Sequence, residues 1–182
     1  TWMLTAAIMV LILMTPSLVQ SVFHVAPARA FLGSNVASFA LAAGCLFYGW
    51  LTDRIGYAPA LLLGAIGLLL TGYALYLDLQ AGGAHFVVLY ALSGFGVGVV
   101  GVVPTLMVAA FPPAVRFSGL SFSYNVAYAL FGGLTPPLIG LMVQRFGVLA
   151  PAHYVAFTAC IGIGVAVFVM LARRRSIALT GA

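Results

Sequence analysis

Long apolar stretches alternate along the chain with short breaks where glycine, proline and the few charged residues gather. Six apolar spans can be drawn, at 2–22, 31–51, 58–77, 86–110, 119–143 and 152–171. Each holds about the twenty residues that a helix rising 1.5 Å per residue needs to cross a ~30 Å hydrocarbon core. Barrel strands would alternate apolar and polar side chains over roughly ten residues, and no such alternation runs through these spans. The pattern predicts an all-α integral membrane chain of six transmembrane helices.

Composition removes the soluble alternative. Of 182 residues, 64% are hydrophobic and 5% charged, where soluble chains average roughly a quarter charged. A mean hydropathy of +1.22 makes lipid the solvent for most of the surface. The formal charge of +5 comes from seven basic residues, all arginine, set against two aspartates. Apart from Arg173, Arg174 and Arg175 the arginines are scattered singly, which does not make the clustered cationic face that nucleic acid needs.

Charge also orients the chain. If it starts inside, Arg54, Arg116 and the Arg173 to Arg175 triplet fall on the cytoplasmic side, and only Arg29 and Arg145 lie opposite. The arginine excess marks the cytoplasmic face, so both termini are expected inside, in a cell inner (plasma) membrane, with the triplet as a topological anchor. His24, His85 and His153 then sit at outer helix ends, where headgroup-level residues are expected rather than pH sensors. Cys45 and Cys160 lie inside apolar spans and read as small packing residues. The chain opens at Thr1 within an apolar run, without a basic leader, so the start of a longer protein is expected to be missing.

A weak internal echo is present. Gly49, Arg54 and Gly56 at the end of the second span recur as Gly140, Arg145 and Gly147 at the end of the fifth, displaced by half the chain length. Pro16 in the first span recurs approximately as Pro104 in the fourth. Helices three apart in a serpentine run in opposite directions, so the echo is what an inverted three-plus-three repeat would leave.

The second span ends in Gly49-Trp50-Leu51-Thr52-Asp53-Arg54-Ile55-Gly56. An acid and a base in a tight, glycine-bracketed loop either pin that loop in the cytoplasm or engage a helix terminus, with Asp53 opposing the positive end of a dipole for roughly 0.3 to 1 kcal/mol. The octet resembles the signature loop of the major facilitator superfamily, Gly-x-Leu-x-Asp-Arg-x-Gly followed by basic residues, matching at Gly49, Leu51, Asp53, Arg54 and Gly56. Tyr57 and Ala58 stand where that family continues with cations. The stretch from Phe111 to Gly119, with Tyr124-Asn125, Gly132-Gly133 and Thr135-Pro136, is similar to the loop and eleventh helix of the metabolite:proton symporters, carriers of proline, betaine, 2-oxoglutarate, citrate and shikimate. Thr15-Pro16-Ser17-Leu18 and Pro151-Ala152-His153-Tyr154 fit the same half. The resemblance implies helices seven to twelve of a twelve-helix fold, a missing N-terminal half, and proton-coupled symport of a small organic solute by alternating access. It also implies a gating role for Gly49, Asp53, Arg54, Gly56 and Arg116. A non-transporting structural or sensory module on the same scaffold is the alternative.

The fifth span carries Ser121, Asn125, Tyr128, Gly132 and Thr135 at i, i+4, i+7, i+11 and i+14, within about 40° of one direction on a regular helix. Asn125 and Tyr128 fall some 10 to 14 Å inside the helix start, near mid-membrane. Such a stripe faces either a substrate cavity or a neighbouring helix that it hydrogen-bonds. Thr15 and Gln20 beside Pro16, and Asn35 and Ser38 in the second span, are further pathway candidates. Gly96-Val97-Gly98-Val99-Val100-Gly101 spells the G-x-G-x-x-G dinucleotide pattern, but it lies inside an apolar span with no preceding strand; close helix packing through Gly94, Gly98 and Gly101 explains it. With no metal-ligand cluster and no nucleophile beside a base, neither enzyme chemistry nor a cofactor is expected. Asp53 and Asp78, the two acids, fall in loops, so no carboxylate in this chain is placed to carry a proton through the membrane.

Overall fold

In a computed structural model the backbone is described for residues 1–180 and side chains for residues 1–172. The side chains of Arg173 to Arg175, the expected anchor, lie outside the described residues. Six helices are long and apolar enough to cross a membrane, and no strand occurs among the described residues. They are α1 (Trp2–Ser21), α2 (Pro27–Ile55), α3 (Tyr57–Gln80), α4 (Phe86–Ala110), α5 (Pro113–Phe146) and α6 (Ala150–Thr180). Several run past their apolar spans because the polar flanks remain helical. Asp53 and Asp78, expected in loops, therefore stand in the last turns of α2 and α3.

The bundle is built around α4, which packs against α2 and α3, while α3 also packs against α6 and α1 is enclosed by α2, α4, α5 and α6. Its core includes Val10, Leu11, Leu68, Leu75, Tyr76, Phe86, Tyr90, Val97 and Ile139, all fully buried. Glycine sets the closest approach. A Cβ on Gly94 would stand 2.2 Å from the Ala37 carbonyl oxygen, and one on Gly98 would stand 2.3 Å from the Gly44 carbonyl carbon. α2 and α4 thus touch backbone to backbone, the small-residue packing that replaces the hydrophobic drive where the solvent is lipid. Of the dinucleotide-like glycines, Gly98 belongs to this contact, Gly101 only borders it, with its Cβ position 3.8 Å from Cys45, and Gly96 faces Thr71 and Leu68 on α3.

The half-chain echo has a conformational counterpart. Gly56 closes α2 at φ 86° and ψ 161°, and Gly147 closes α5 at φ 78° and ψ −171°. Their N–H groups donate to the carbonyls of Thr52 and Val143, at 2.9 and 3.0 Å. Positive φ is the region only glycine enters freely, so the repeated glycine marks the same turn twice. α2 and α5 are also the least enclosed helices, with 22% of their most apolar stretches buried against 33–56% for the other four. Phe39 and Leu46 on α2, and Phe117 and Phe122 on α5, face outward.

Three helices are irregular, and in each a proline follows about one turn later. α1 is π-helical over Ile8–Met14 ahead of Pro16, α4 is 3-10 over Gly98–Gly101 ahead of Pro104, and α5 is π-helical over Tyr128–Gly132 ahead of Pro136 and Pro137. Proline cannot donate to the carbonyl four residues back and its ring crowds it, so the preceding turn winds differently.

Candidate functional site

The polar stripe expected along α5 is divided. Ser121 is half-buried and Asn125 exposed, whereas Gly132 and Thr135 are buried. The cause is the π turn at Tyr128–Gly132: one extra residue in a turn displaces all that follows by about 100°, which a uniform helical period cannot register. The C-terminal part of the stripe faces α1 and α6. Gly132 lies against Met9 and Thr5, and Thr135 bonds to Tyr154 on α6.

The N-terminal part presents different chemistry. Asn125 donates its amide N–H to the Ser121 carbonyl, 2.8 Å, and to the Ser121 hydroxyl, 3.4 Å. Its carbonyl Oδ1 has no protein partner among the described residues. Beside it the rings of Tyr124 and Tyr128 stack with centroids 4.8 Å apart and 22° between planes, and the Tyr124 hydroxyl donates to that of Tyr128 at 3.5 Å. Both rings are half-buried. An amide oxygen and two π faces thus share one stretch of a weakly enclosed helix. They can accept an N–H and contact a cation. Tyr124 entered the sequence reading only through family resemblance; its i, i+4 spacing to Tyr128 was the available signal.

The other candidates fall into two groups. Gln20 lines an open cleft of about 490 Å³ with Leu13, Pro16, Ser17, Ser21 and Phe31 at one end of α1 and α2, and its amide donates to the Pro16 carbonyl at 2.9 Å. Asn35, one turn from Phe31, is exposed; Ser38 is exposed and donates to the Ser34 carbonyl. Thr15 faces inward: it is fully buried, donates to the Val10 carbonyl at 2.8 Å and lies 3.0 Å from the Tyr76 hydroxyl on α3.

At the signature octet, Gly49 has open space where a Cβ would stand. Arg54 lies over the Trp50 ring, 5.5 Å from its centroid. Asp53 is exposed and has no ion pair or hydrogen bond among the described residues, which is unfavourable in the last turn of a helix, where the dipole is negative. Arg116 donates through Nε to the Phe111 carbonyl at 3.2 Å, closing the α4–α5 junction. At the opposite junction Arg29 donates to the carbonyls of Gly83 and Ala84, and Asp78 accepts from the backbone N–H and pairs with the ring of His85. His153 bonds to the Tyr73 hydroxyl at 2.6 Å, and His24 is exposed. Both cysteines are free, and no group of three or more potential metal ligands occurs among the described residues.

The chain is similar to the ectoine/proline transporter of Corynebacterium glutamicum, 35% identical over 130 residues, which covers 68% of this chain and 25% of the relative. It is similar to the proline/betaine transporter of Escherichia coli, 30% identical over 118 residues, covering 63% of this chain and 23% of the relative. The match thus spans about a quarter of the curated relatives' length. No family model and no solved structure matches the chain. Both relatives are named as transporters, which are not enzymes. Together with six helices of spanning length they make this a multi-pass membrane protein.

Proposed function

We infer that this chain is the C-terminal six-helix half of a major facilitator transporter and that it serves proton-coupled symport of a small zwitterion of the proline or betaine kind. The observation that carries the reading is the pairing, on the open side of α5, of the unbonded Asn125 Oδ1 with the stacked Tyr124 and Tyr128 rings. A quaternary or secondary ammonium suits an aromatic face, a contact worth about 0.5 to 2 kcal/mol. The relatives' printed substrates, proline, ectoine and betaine, support the same class. Gln20 and Asn35 line the path on the α1–α2 side, while Thr15 supports it from within.

The two halves rock about this midplane site, with solute and proton favouring one open face through differential affinity. Asp53, unpaired at the cytoplasmic end of α2, braces against a helix N-terminus of the other half. That contact turns its unfavourable position into a favourable one when the halves close on that side. Both acids of this chain stand at helix ends, so the proton carrier belongs to the N-terminal half. The segment sits in the inner membrane with both its ends cytoplasmic.

Uptake of labelled proline and betaine into proteoliposomes by the natural polypeptide carrying this chain tests the reading. Accumulation should require an inward proton gradient. Tyr124→Leu should raise the KM for betaine by about 2- to 30-fold, the loss of one cation–π contact. Accumulation indifferent to the gradient overturns symport, and no uptake of any organic solute favours the structural or sensory module.

A further inference from the structure

The π turns of α1 and α5 are held by the same device. In α5, Thr135 donates its hydroxyl proton to the Phe131 carbonyl. With its one proton spent there, Thr135 accepts from the Tyr154 hydroxyl, 2.9 Å away, and Tyr154 in turn accepts from the indole N–H of Trp2 at 2.9 Å. The chain of bonds has a single direction, from Trp2 on α1 through Tyr154 on α6 and Thr135 to a carbonyl inside the π turn. In α1, the N–H and hydroxyl of Thr15 both donate to the Val10 carbonyl, so the hydroxyl accepts from Tyr76 on α3. Each device is a Thr-Pro pair whose threonine occupies a π-turn carbonyl and is fixed by a tyrosine from another helix. The two turns touch, for Gly132 of one abuts Met9 of the other.

The π turn of α5 is weakly tied by its own backbone. Pro136 and Pro137 supply no N–H to the carbonyls of Gly132 and Gly133, and the Phe131 carbonyl accepts a hydroxyl that Tyr154 positions. Gly132 and Gly133 put little steric resistance in the way of rewinding, as a Cβ on Gly133 would meet nothing within 4 Å. The alternative register is written in the sequence: on a uniform α-helix Ser121, Asn125, Tyr128, Gly132 and Thr135 share one face.

We propose that α5 is a register switch, in which release of the Tyr154–Thr135 latch converts the Tyr128–Gly132 π turn to α. Conversion turns the segment carrying Ser121, Tyr124 and Asn125 by about 100° relative to Thr135. Ser121 and Asn125 then leave the open side and line up with Gly132 toward α1. The first residue of the turn, Tyr128, belongs to the candidate solute site, so a solute held there biases the register by its differential affinity for the two states. The α1 latch sets the surface against which α5 turns. The proposal deepens the transport reading and, in its ligand-driven part, rests on it.

The test is a single-cysteine scan of positions 117 to 127 in the natural polypeptide carrying this chain, in liposomes, after Cys45 and Cys160 are replaced by alanine. Modification by a water-soluble maleimide is read with the native latch and in Tyr154→Phe, Thr135→Val and Thr135→Ser. With the latch intact, reactivity should peak at Asn125. Tyr154→Phe and Thr135→Val should shift the phase of the pattern by about one residue, or 100°, and Thr135→Ser, which keeps the hydroxyl, should restore it. Saturating proline or betaine should produce the same shift in the native latch. Deletion of Ala129, which removes the extra residue, should hold the shifted pattern permanently and serves if a latch variant fails to accumulate. One invariant pattern across these variants, with uptake intact, overturns the switch and leaves the transport reading standing. A latch-dependent shift in a protein that takes up no solute upholds the switch and overturns the transport reading.

Discussion

The hydroxyl of Tyr76 on α3 donates to that of Thr15 on α1, 3.0 Å away in the protein interior, because Thr15 has already given its proton to the Val10 carbonyl. Both residues are fully buried, so neither group has water to turn to if the other is removed. Thr15→Val should lower stability in mild detergent by about 1 kcal/mol, and a double-mutant cycle with Tyr76→Phe should return a coupling of about 0.6 kcal/mol, the usual size for such bonds between membrane helices. Strict additivity of the two substitutions would show that the bond contributes nothing.

The backbone contact between α2 and α4 predicts opposite outcomes for similar substitutions. Gly94→Ala and Gly98→Ala each drive a methyl into a facing backbone and should destabilise by about 1 to 3 kcal/mol, the range for overpacking. Gly49→Ala and Gly140→Ala, with nothing within 4 Å of the new carbon, should be neutral or stabilise by about 0.5 to 1 kcal/mol, since alanine is the better helix former. Thermal unfolding of the four variants in one detergent makes the comparison, and equal losses in both pairs would refute the close approach.

The matching turns at Gly56 and Gly147 should respond alike. Alanine at either must adopt a positive φ with an extended ψ, at about 1 to 3 kcal/mol, and the two losses should agree within about 0.5 kcal/mol and add, as distant sites do. A large loss at one position only would mean that the shared conformation is not shared energetically.

For Asp53 the signs for stability and function should separate. Asp53→Asn removes an unpaired negative charge from the negative end of α2, so stability should hold or rise by about 0.3 kcal/mol. The uptake rate should nevertheless fall several-fold at unchanged expression, because the proposed contact with the other half is lost. Unchanged uptake would leave the octet as a topological signal.

Six spanning helices were legible in the sequence because lipid imposes a length and an apolarity that each segment must meet by itself. The turn repeated at Gly56 and Gly147 was legible for a similar reason, as positive φ is a local demand that glycine meets. The small-residue contact could be read from Gly94 and Gly98, but their partners Ala37 and Gly44 could not, since glycine spacing records a close approach and not its other side. Tyr76, Tyr154 and Trp2 were missed as partners of Thr15 and Thr135. The Thr-Pro dipeptides were the available signal, and a hydroxyl's partner lies on another helix.

Sequence alone determined the solvent, the number of helices and the places where the chain turns, each decided within a score of residues. Tertiary structure decided which polar groups are open and which are enclosed. Asn125 and Thr135 share a face on a regular helix, and one π turn beside Pro136 separates them. That turn persists in the structure with the Phe131 carbonyl taken by Thr135, and with Tyr154 and Trp2, from two other helices, fixing that hydroxyl.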